Sequence, residues 1–459
     1  MKLPRIVVKG SAILVVVILL SLALSRIEGL VLERQYRASE AEQGIAQSHA
    51  GRQSLLGPVL LTQCSESWQE TEGSGKDAKR VDRRRDFRLS AVPRTHAIDA
   101  RLAMEARYRG LFKVNTYATQ LQVSAEWASL AALRPQREHT GSQLACDPVD
   151  LMVAVSDARG IRQAAVTLDG QPLAVEPGTM HDKYPSGFHV ALPEARRNGE
   201  TPLRVALTLD LVGTSAFAVV PIGRDSRMHL SADWPHPSFN GRFLPDPATR
   251  TVRSDGFEAS WQVSALATTA VQDFAHGVAL CVPGEGGKAP CLDSFDVDFI
   301  DPVNPYSLSD RAIKYGMLFV GLTFVAVGMV ELLLRRRVHP VQYLLVGCAI
   351  SVFFLLLLSL SEHFPFGPSY AAAAAACVAL LAFYGRHMLG GWRAGVLFGA
   401  GIVALYGALY TLLQMEQASL VTGAVLLFCV LAGVMVATRR LDWYGLAAAD
   451  TSASATSAP

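Results

Sequence analysis

The sequence predicts an α+β membrane protein with an N-terminal transmembrane helix, a large antiparallel β-rich domain and a C-terminal bundle of five transmembrane helices. Three observations predict it. Half of the residues are hydrophobic and only 18% are charged, against roughly 25% in a typical soluble protein. The apolar excess is concentrated in one run near the start and five in the last third of the chain. The long polar stretch between them alternates apolar and polar residues with period two, as strands with one buried face do. This hydrophobicity excludes a disordered chain, and a formal net charge of +2 removes the electrostatic basis for nucleic-acid binding.

The first apolar run, residues 11–25, follows Lys2, Arg5 and Lys9. A secretory signal peptide opens the same way. No small-x-small cleavage pattern follows, however, and the sequence continues as a polar helix, so residues 1–27 are read as a retained anchor. Residues 28–50 are amphipathic and predict a helical stalk at the start of the β-rich domain, 28–310. Nothing in that domain approaches the roughly 20 apolar residues needed to cross a bilayer.

Inside it, Leu203, Val205, Leu207, Leu209 and Leu211 alternate with other residues. Phe257–Val263, Leu121–Trp127 and Phe295–Phe299 show the same period. Asp169-Gly170 is a hairpin signal. Many short strands broken by Gly and Pro predict a sandwich or curled sheet.

The last five apolar runs, 312–334, 341–360, 369–384, 394–413 and 418–437, make residues 311–440 a helical bundle and bring the spans to six. The alanines at 371–376 suit close helix packing. Arginine and lysine cluster at alternate connections: Lys2, Arg5 and Lys9; Arg335–Arg337; Arg386 and Arg393; Arg439 and Arg440. The intervening connections, with Ser361, Glu362 and His363 and then Gln414, Glu416 and Gln417, carry none. This positive-inside pattern places both termini in the cytoplasm and residues 28–310 outside. The small, polar tail, 441–459, is expected to be disordered.

The cysteines agree with that topology. Cys64, Cys146, Cys281 and Cys291 fall on the oxidising side, an even number that permits disulfides. Cys281 and Cys291 bracket the turn-rich VPGEGGKAP, which favours a bridge between them and leaves Cys64 to pair with Cys146. Cys348, Cys377 and Cys429 fall within spans and read as packing residues.

Several segments resemble the CreD family of bacterial inner-membrane proteins: VSDARGI (155–161), EPGT (176–179), SGFHVALP (186–193), WPHPSFNGRFLP (234–245) and SDGFEASWQVS (254–264). LSDRAIKYGML (308–318), VHPVQYLLVG (338–347), LLLSLSEH (356–363) and RLDWYG (440–445) continue the series in order along the chain. The resemblance implies a Gram-negative envelope-integrity protein of the stress response, produced under a two-component system and linked to colicin and cell-wall antibiotic tolerance. It supplies no catalytic residues and no cofactor. The segment between Cys281 and Cys291 is not part of the family pattern.

Candidate sites compete with plainer readings. Trp234 precedes His236, which lies between two prolines and could hold a ligand or metal, but a rigid strand-edge turn packing Trp234 inward is favoured. Asp157 and Arg159 end an apolar strand, where a turn closed by a local ion pair is favoured over a ligand site. His181, Asp182 and His189 are metal-ligating types without a motif spacing, and are read as solvated loop residues. The basic run 79–88 could touch anionic lipid or polysaccharide, but Asp82 and Asp86 interrupt it and a solvated strand or loop is favoured.

Glu331, one turn from Arg335, predicts an interfacial ion pair. Glu362 and His363, at the outer end of a span, could meet the soluble domain. No nucleophile elbow, phosphate loop or zinc-protease helix is present in the sequence. The favoured reading is therefore a non-enzymatic protein in contact with the lipid bilayer, whose partner is an envelope protein or a peptidoglycan-related ligand. The alternatives are a membrane enzyme on a lipid-linked or cell-wall substrate, using Glu362 and His363, and a transporter component. Span centres free of charge count against the transporter.

Overall fold

The computed structural model describes residues 5–72, 79–194, 201–284, 290–301, 305–334, 338–388, 391–414 and 419–439. The expected disordered tail lies outside them, as do Lys2, Arg335–Arg337, Glu416, Gln417 and Arg440. The chain divides into two compact units, Ala38–Pro302 and Met1–Arg37 with Val303–Pro459. Helix α1 (Arg5–Ser48) is continuous from the anchor through the predicted stalk.

The Ala38–Pro302 unit is built from two sheets. Its strands begin with β1 (Gln53–Glu72), β2 (Lys79–Ala91), β3 (Thr95–Arg109), β4 (Phe112–Trp127), β5 (Gln143–Cys146) and β6 (Asp150–Val155). Then come β7 (Ile161–Leu168), β8 (Gln171–Leu173), β9 (Glu176–Pro177), β10 (Gly187–Ala191), β11 (Leu203–Thr214) and β12 (Ala216–Val219). β13 (Asp225–Ala232), β14 (Pro237–Gly241), β15 (Thr251–Arg253), β16 (Gly256–Ser264), the short helix α2 (Ala270–Ala275) and β17 (Phe295–Phe299) complete it.

One sheet runs β14-β17-β12-β1-β6-β10-β9, with β2 and β5 also paired to β1; the other runs β15-β16-β13-β3-β4-β11-β7-β8. Leu60, Val153 and Phe217 of the first meet Leu121, Leu207 and Trp261 of the second in one core, so the unit is a sandwich. The four strands read from alternation are present as β4, β11, β16 and β17. Asp169 and Gly170 take φ values of 50° and 84° and close the β7–β8 hairpin, the left-handed geometry a two-residue turn demands.

Two features depart from the expected antiparallel domain. β1 pairs with β12 in parallel and β3 pairs with β13 in parallel. The side-chain period is the same in either direction, so a local pattern cannot specify it.

The outer face of the first sheet is also buried. Leu56, Leu61, Met152, Val220 and Phe274 form a second core there, under α2 and the segment that follows it. A bulge in β1 shifts its register with β6 between Leu56 and Val59. It changes the parity of the strand, so that Leu55 and Leu60 both reach the main core while Leu56, Val59 and Leu61 face the second. Gly57 permits this with φ 115°; a Cβ there would lie 2.8 Å from the Met152 carbonyl oxygen.

The other unit contains the start of α1 and α3 (Pro305–Lys314), α4 (Gly316–Leu334), α5 (Pro340–Ser361), α6 (Phe366–Met388), α7 (Trp392–Gln414) and α8 (Ser419–Thr438). By length and composition α1, α5, α6 and α7 can each cross a membrane, and the pair α3–α4, bent by 44°, makes a fifth if it is one span. The described apolar stretch of α8, Gly423–Val436, is shorter. The predicted run 312–334 is thus not one straight helix: its first residues belong to α3. That helix is amphipathic, burying Tyr306, Leu308 and Ile313, and Asp310 pairs with Lys314 at 2.7 Å. His339 caps α5, accepting from the Val341 N–H while Gln342 accepts from the His339 N–H, with Pro340 at the first helical position. Gly347 lets α1 approach α5, since a Cβ there would lie 2.1 Å from Leu20.

Candidate functional site

The strand Phe295-Asp-Val-Asp-Phe299 sends Phe295, Val297 and Phe299 into the main core. By the period of two, Asp296 and Asp298 fall on the opposite face, which the sequence reading leaves to solvent. In the structure that face is covered. Asp296 is 7% exposed, and its Oδ1 has no hydrogen-bond partner. Asp298 Oδ1 is likewise buried without one, while its Oδ2 accepts from Asn240 Nδ2 at 2.9 Å.

Asp296 lines a cavity of about 360 Å³. Its walls include Val220, Leu280, Val282 and Leu292, with Ser54 and Asn240 as polar groups. The Cys281–Cys291 disulfide lies in the wall, and Ser54 Oγ donates to the Cys281 carbonyl at 2.7 Å. Small residues opposite the acids leave the room, because Ala218 and Ala216 of β12 sit in register with Asp296 and Asp298.

Burial, then the neighbouring Asp298 charge, pushes the Asp296 carboxyl up to about 7 against the pull of Arg52. Burial raises Asp298 too. Arg52 itself is engaged elsewhere, donating to the Pro283 carbonyl at 3.1 Å and pairing with Glu42 at 3.3 Å.

The residues singled out in the sequence are not gathered around this cavity. Asp157 and Arg159 form the predicted ion pair, 2.7 Å between Oδ2 and Nη2, and close a single 3₁₀ turn. Asp157 also accepts from the Gly51 N–H at 2.9 Å, and Arg159 donates to the Ala46 and Gln47 carbonyls at the end of α1. Cationic donors there satisfy carbonyls left open by the helix. Burial alone would raise Asp157, but hydrogen bonds from Arg159 and Gly51 hold it below the ordinary carboxylate range. The pair thus anchors the stalk to the sandwich.

Trp234 packs against the core, and its Nε1 donates to the carbonyls of His236 and Ile300, each at 3.1 Å; the His236 side chain faces outward. Lys113 lies 5.4 Å from the Trp234 ring centroid. Glu362 pairs with Arg34 of α1 at 3.1 Å, and His363 is exposed.

Two further expectations meet the structure. Both disulfides are present, Cys64–Cys146 and Cys281–Cys291. His181, read as solvated, is instead buried among Tyr184 and Phe274, and burial pushes its imidazole down to about 4. The correction follows from α2, which covers that face. No group of three or more His, Cys, Asp or Glu able to hold a metal occurs among the described residues.

Glu331 makes an ion pair with Lys9 of α1, and the Tyr343 hydroxyl donates to its Oε2 at 3.0 Å. The run 79–88 is an exposed strand whose arginines face Glu70, Glu72 and Glu138. Besides the two aspartates, sequence reasoning missed Glu66. It is fully buried, and its Oε1 accepts from the backbone N–H groups of Glu138 and His139 and from Ser142 Oγ. These donors, Ser142 first, hold it below the ordinary range and fix the 138–142 loop.

Comparison with known proteins follows the same outline. The family model described as inner membrane protein CreD matches residues 5–444. Inner membrane protein CreD of Escherichia coli strain K12 is 34% identical over 431 residues, covering 93% of this chain and 91% of its own. Among solved structures, the InvG secretin domain β-barrel from the Salmonella SPI-1 injectisome base reaches a TM-score of 0.05 at 9% identity. It covers 36% of this chain and 63% of its own, and bears on nothing here.

Proposed function

Because the chain belongs to the CreD family of inner membrane proteins, we propose that it is a six-span envelope-integrity protein whose β sandwich faces the periplasm. It acts there by binding an envelope partner rather than by catalysing a reaction. The observation that carries this reading is the division of the cysteines. Both disulfides lie in the β unit, whereas Cys348, Cys377 and Cys429, all in the helical unit, are free. Disulfides persist where the compartment is oxidising. The arginine- and lysine-rich connections support the same orientation, with both termini in the cytoplasm.

The membrane-enzyme alternative relies on Glu362 and His363, and of these the Glu362 carboxylate is committed to Arg34. That engagement favours a structural role at the end of α5.

The test has two arms. Alkaline phosphatase fused within the β unit is expected to be active, and fused after residue 440 inactive; the reverse would overturn the orientation. A deletion strain is expected to gain permeability and lose antibiotic or colicin tolerance under envelope stress. An unchanged strain would overturn the role.

A further inference from the structure

We propose that the cavity beside the Cys281–Cys291 disulfide binds a small aliphatic amine in its protonated form, with the ammonium on Asp296 and the hydrocarbon against the apolar walls. The site lies wholly within the β unit, so it does not depend on which side of the membrane that unit faces.

Four observations carry it. Asp296 is 93% buried, since only 7% of it is exposed, and its Oδ1 is without a partner although it lines the cavity. A buried acceptor with no donor is costly, and a ligand N–H group answers it directly. Second, the available charge is negative: Asp296 and Asp298 share a face, and the nearby Arg52 is already committed to Glu42 and the Pro283 carbonyl. An anionic ligand is therefore disfavoured. Third, about 360 Å³ lies within the range of small-molecule pockets and far exceeds the roughly 30 Å³ of a water. A bare ion would leave it mostly empty, and the described residues offer no group of three or more His, Cys, Asp or Glu to hold a metal.

Fourth, Val220, Leu280, Val282 and Leu292 give the walls an apolar character that a hydrated inorganic cation would not use. Asp298, which accepts from Asn240 at 2.9 Å, does not line the cavity and contributes only its nearby negative charge. The ligand that answers all four is a compact hydrocarbon ending in three N–H donors.

The full chain in detergent micelles, titrated calorimetrically, tests this with n-butylammonium chloride as probe. Saturable binding at one site is expected, with no heat from n-butanol and no displacement by calcium or magnesium. Asp296→Asn keeps the shape and removes the charge; it is expected to weaken binding at least about tenfold, the scale of one charge-assisted hydrogen bond.

Ala218→Val leaves both acids intact and narrows the cavity, and it too is expected to weaken binding. It stands in for Asp296→Asn should that variant fail to fold. Equal affinity in both variants would overturn the proposal. So would butanol binding as tightly as butylammonium, or displacement of the amine by calcium, which would make the site an apolar pocket or a metal site instead.

Discussion

Replacing Asp296 with asparagine should stabilise the β unit at neutral and alkaline pH. Its carboxyl rises from 3.8 in the unfolded chain to about 7 in the fold, first through burial and then through Asp298, with Arg52 opposing. At roughly 1.4 kcal/mol for each tenfold change in proton affinity, holding it ionised costs about 4 kcal/mol.

The sign follows from the direction. A folded-state value above the unfolded one makes stability greatest below pH 4, and that stability is lost as pH rises through 7. The charges that face Asp296 are Asp298 on its own strand and Arg52 at the start of β1, with Glu42 behind Arg52. The Asp296→Asn variant would carry no such pH dependence at this position. In a unit of this size about 4 kcal/mol corresponds to roughly 10 °C in melting temperature.

The assay is thermal unfolding of the full chain followed by tryptophan fluorescence. Trp261 lies 5.9 Å from Phe295, the neighbour of Asp296, and so reports locally. The asparagine variant should melt higher than wild type at pH 8, and the gap should narrow by pH 5 and close below pH 4. A gap that is constant with pH, or a variant less stable at pH 8, would refute the burial argument.

Three other outcomes are expected. Reducing the Cys64–Cys146 bridge, which closes a separation of 82 residues, should cost roughly 4.5 kcal/mol by loop entropy, against roughly 2.7 for the 10-residue Cys281–Cys291 loop; denaturant titration of Cys→Ser pairs would rank them. Asp157→Ala removes acceptors for Gly51 and Arg159 and should cost about 1–3 kcal/mol. Because Asp157 is held below the ordinary range, that contribution should be present above pH 5 and vanish as pH falls below 4, which paired melts can read. Glu331→Ala strips Lys9 and Tyr343 of their acceptor and should lower the melting temperature in detergent, whereas the exchanged pair Lys9→Glu with Glu331→Lys should recover part of the loss.

Much of this architecture is legible in the residues themselves. Leu203 to Leu211 alternate because one face of β11 is buried, and Asp169-Gly170 turns because both residues accept positive φ. Lys9 is visible as a charge flanking an apolar run, but which acid it meets depends on helix packing. The pairing of Glu331 with Lys9, and of Arg34 with Glu362, joins residues more than 300 positions apart, which no local spacing encodes.

The main illegible part is the second layer of burial. A period of two separates faces but does not say whether the far face is wet. Phe295-Asp-Val-Asp-Phe299 looks like a half-exposed strand until Leu280, Val282 and Leu292 are found around the cavity that Asp296 lines. Phe274 of α2 likewise turned His181 from a loop residue into a buried one. One signal was present in the sequence: Cys281 and Cys291, whose disulfide lies in the cavity wall just before the strand.

The two readings of Asp296 constrain each other. Asparagine would fill the same space, donate or accept a hydrogen bond, and avoid the cost of burying charge, so packing alone does not call for aspartate. Strain of this kind is tolerable where it is relieved by a ligand. A cation bound to the ionised form lowers the carboxyl's proton affinity, so saturating amine should raise wild-type stability most at pH 8, where the unliganded acid is costliest, and little in Asp296→Asn. If the amine stabilised both proteins equally, the charge would have no part in binding, and the buried acid would be a defect of the fold rather than its working group.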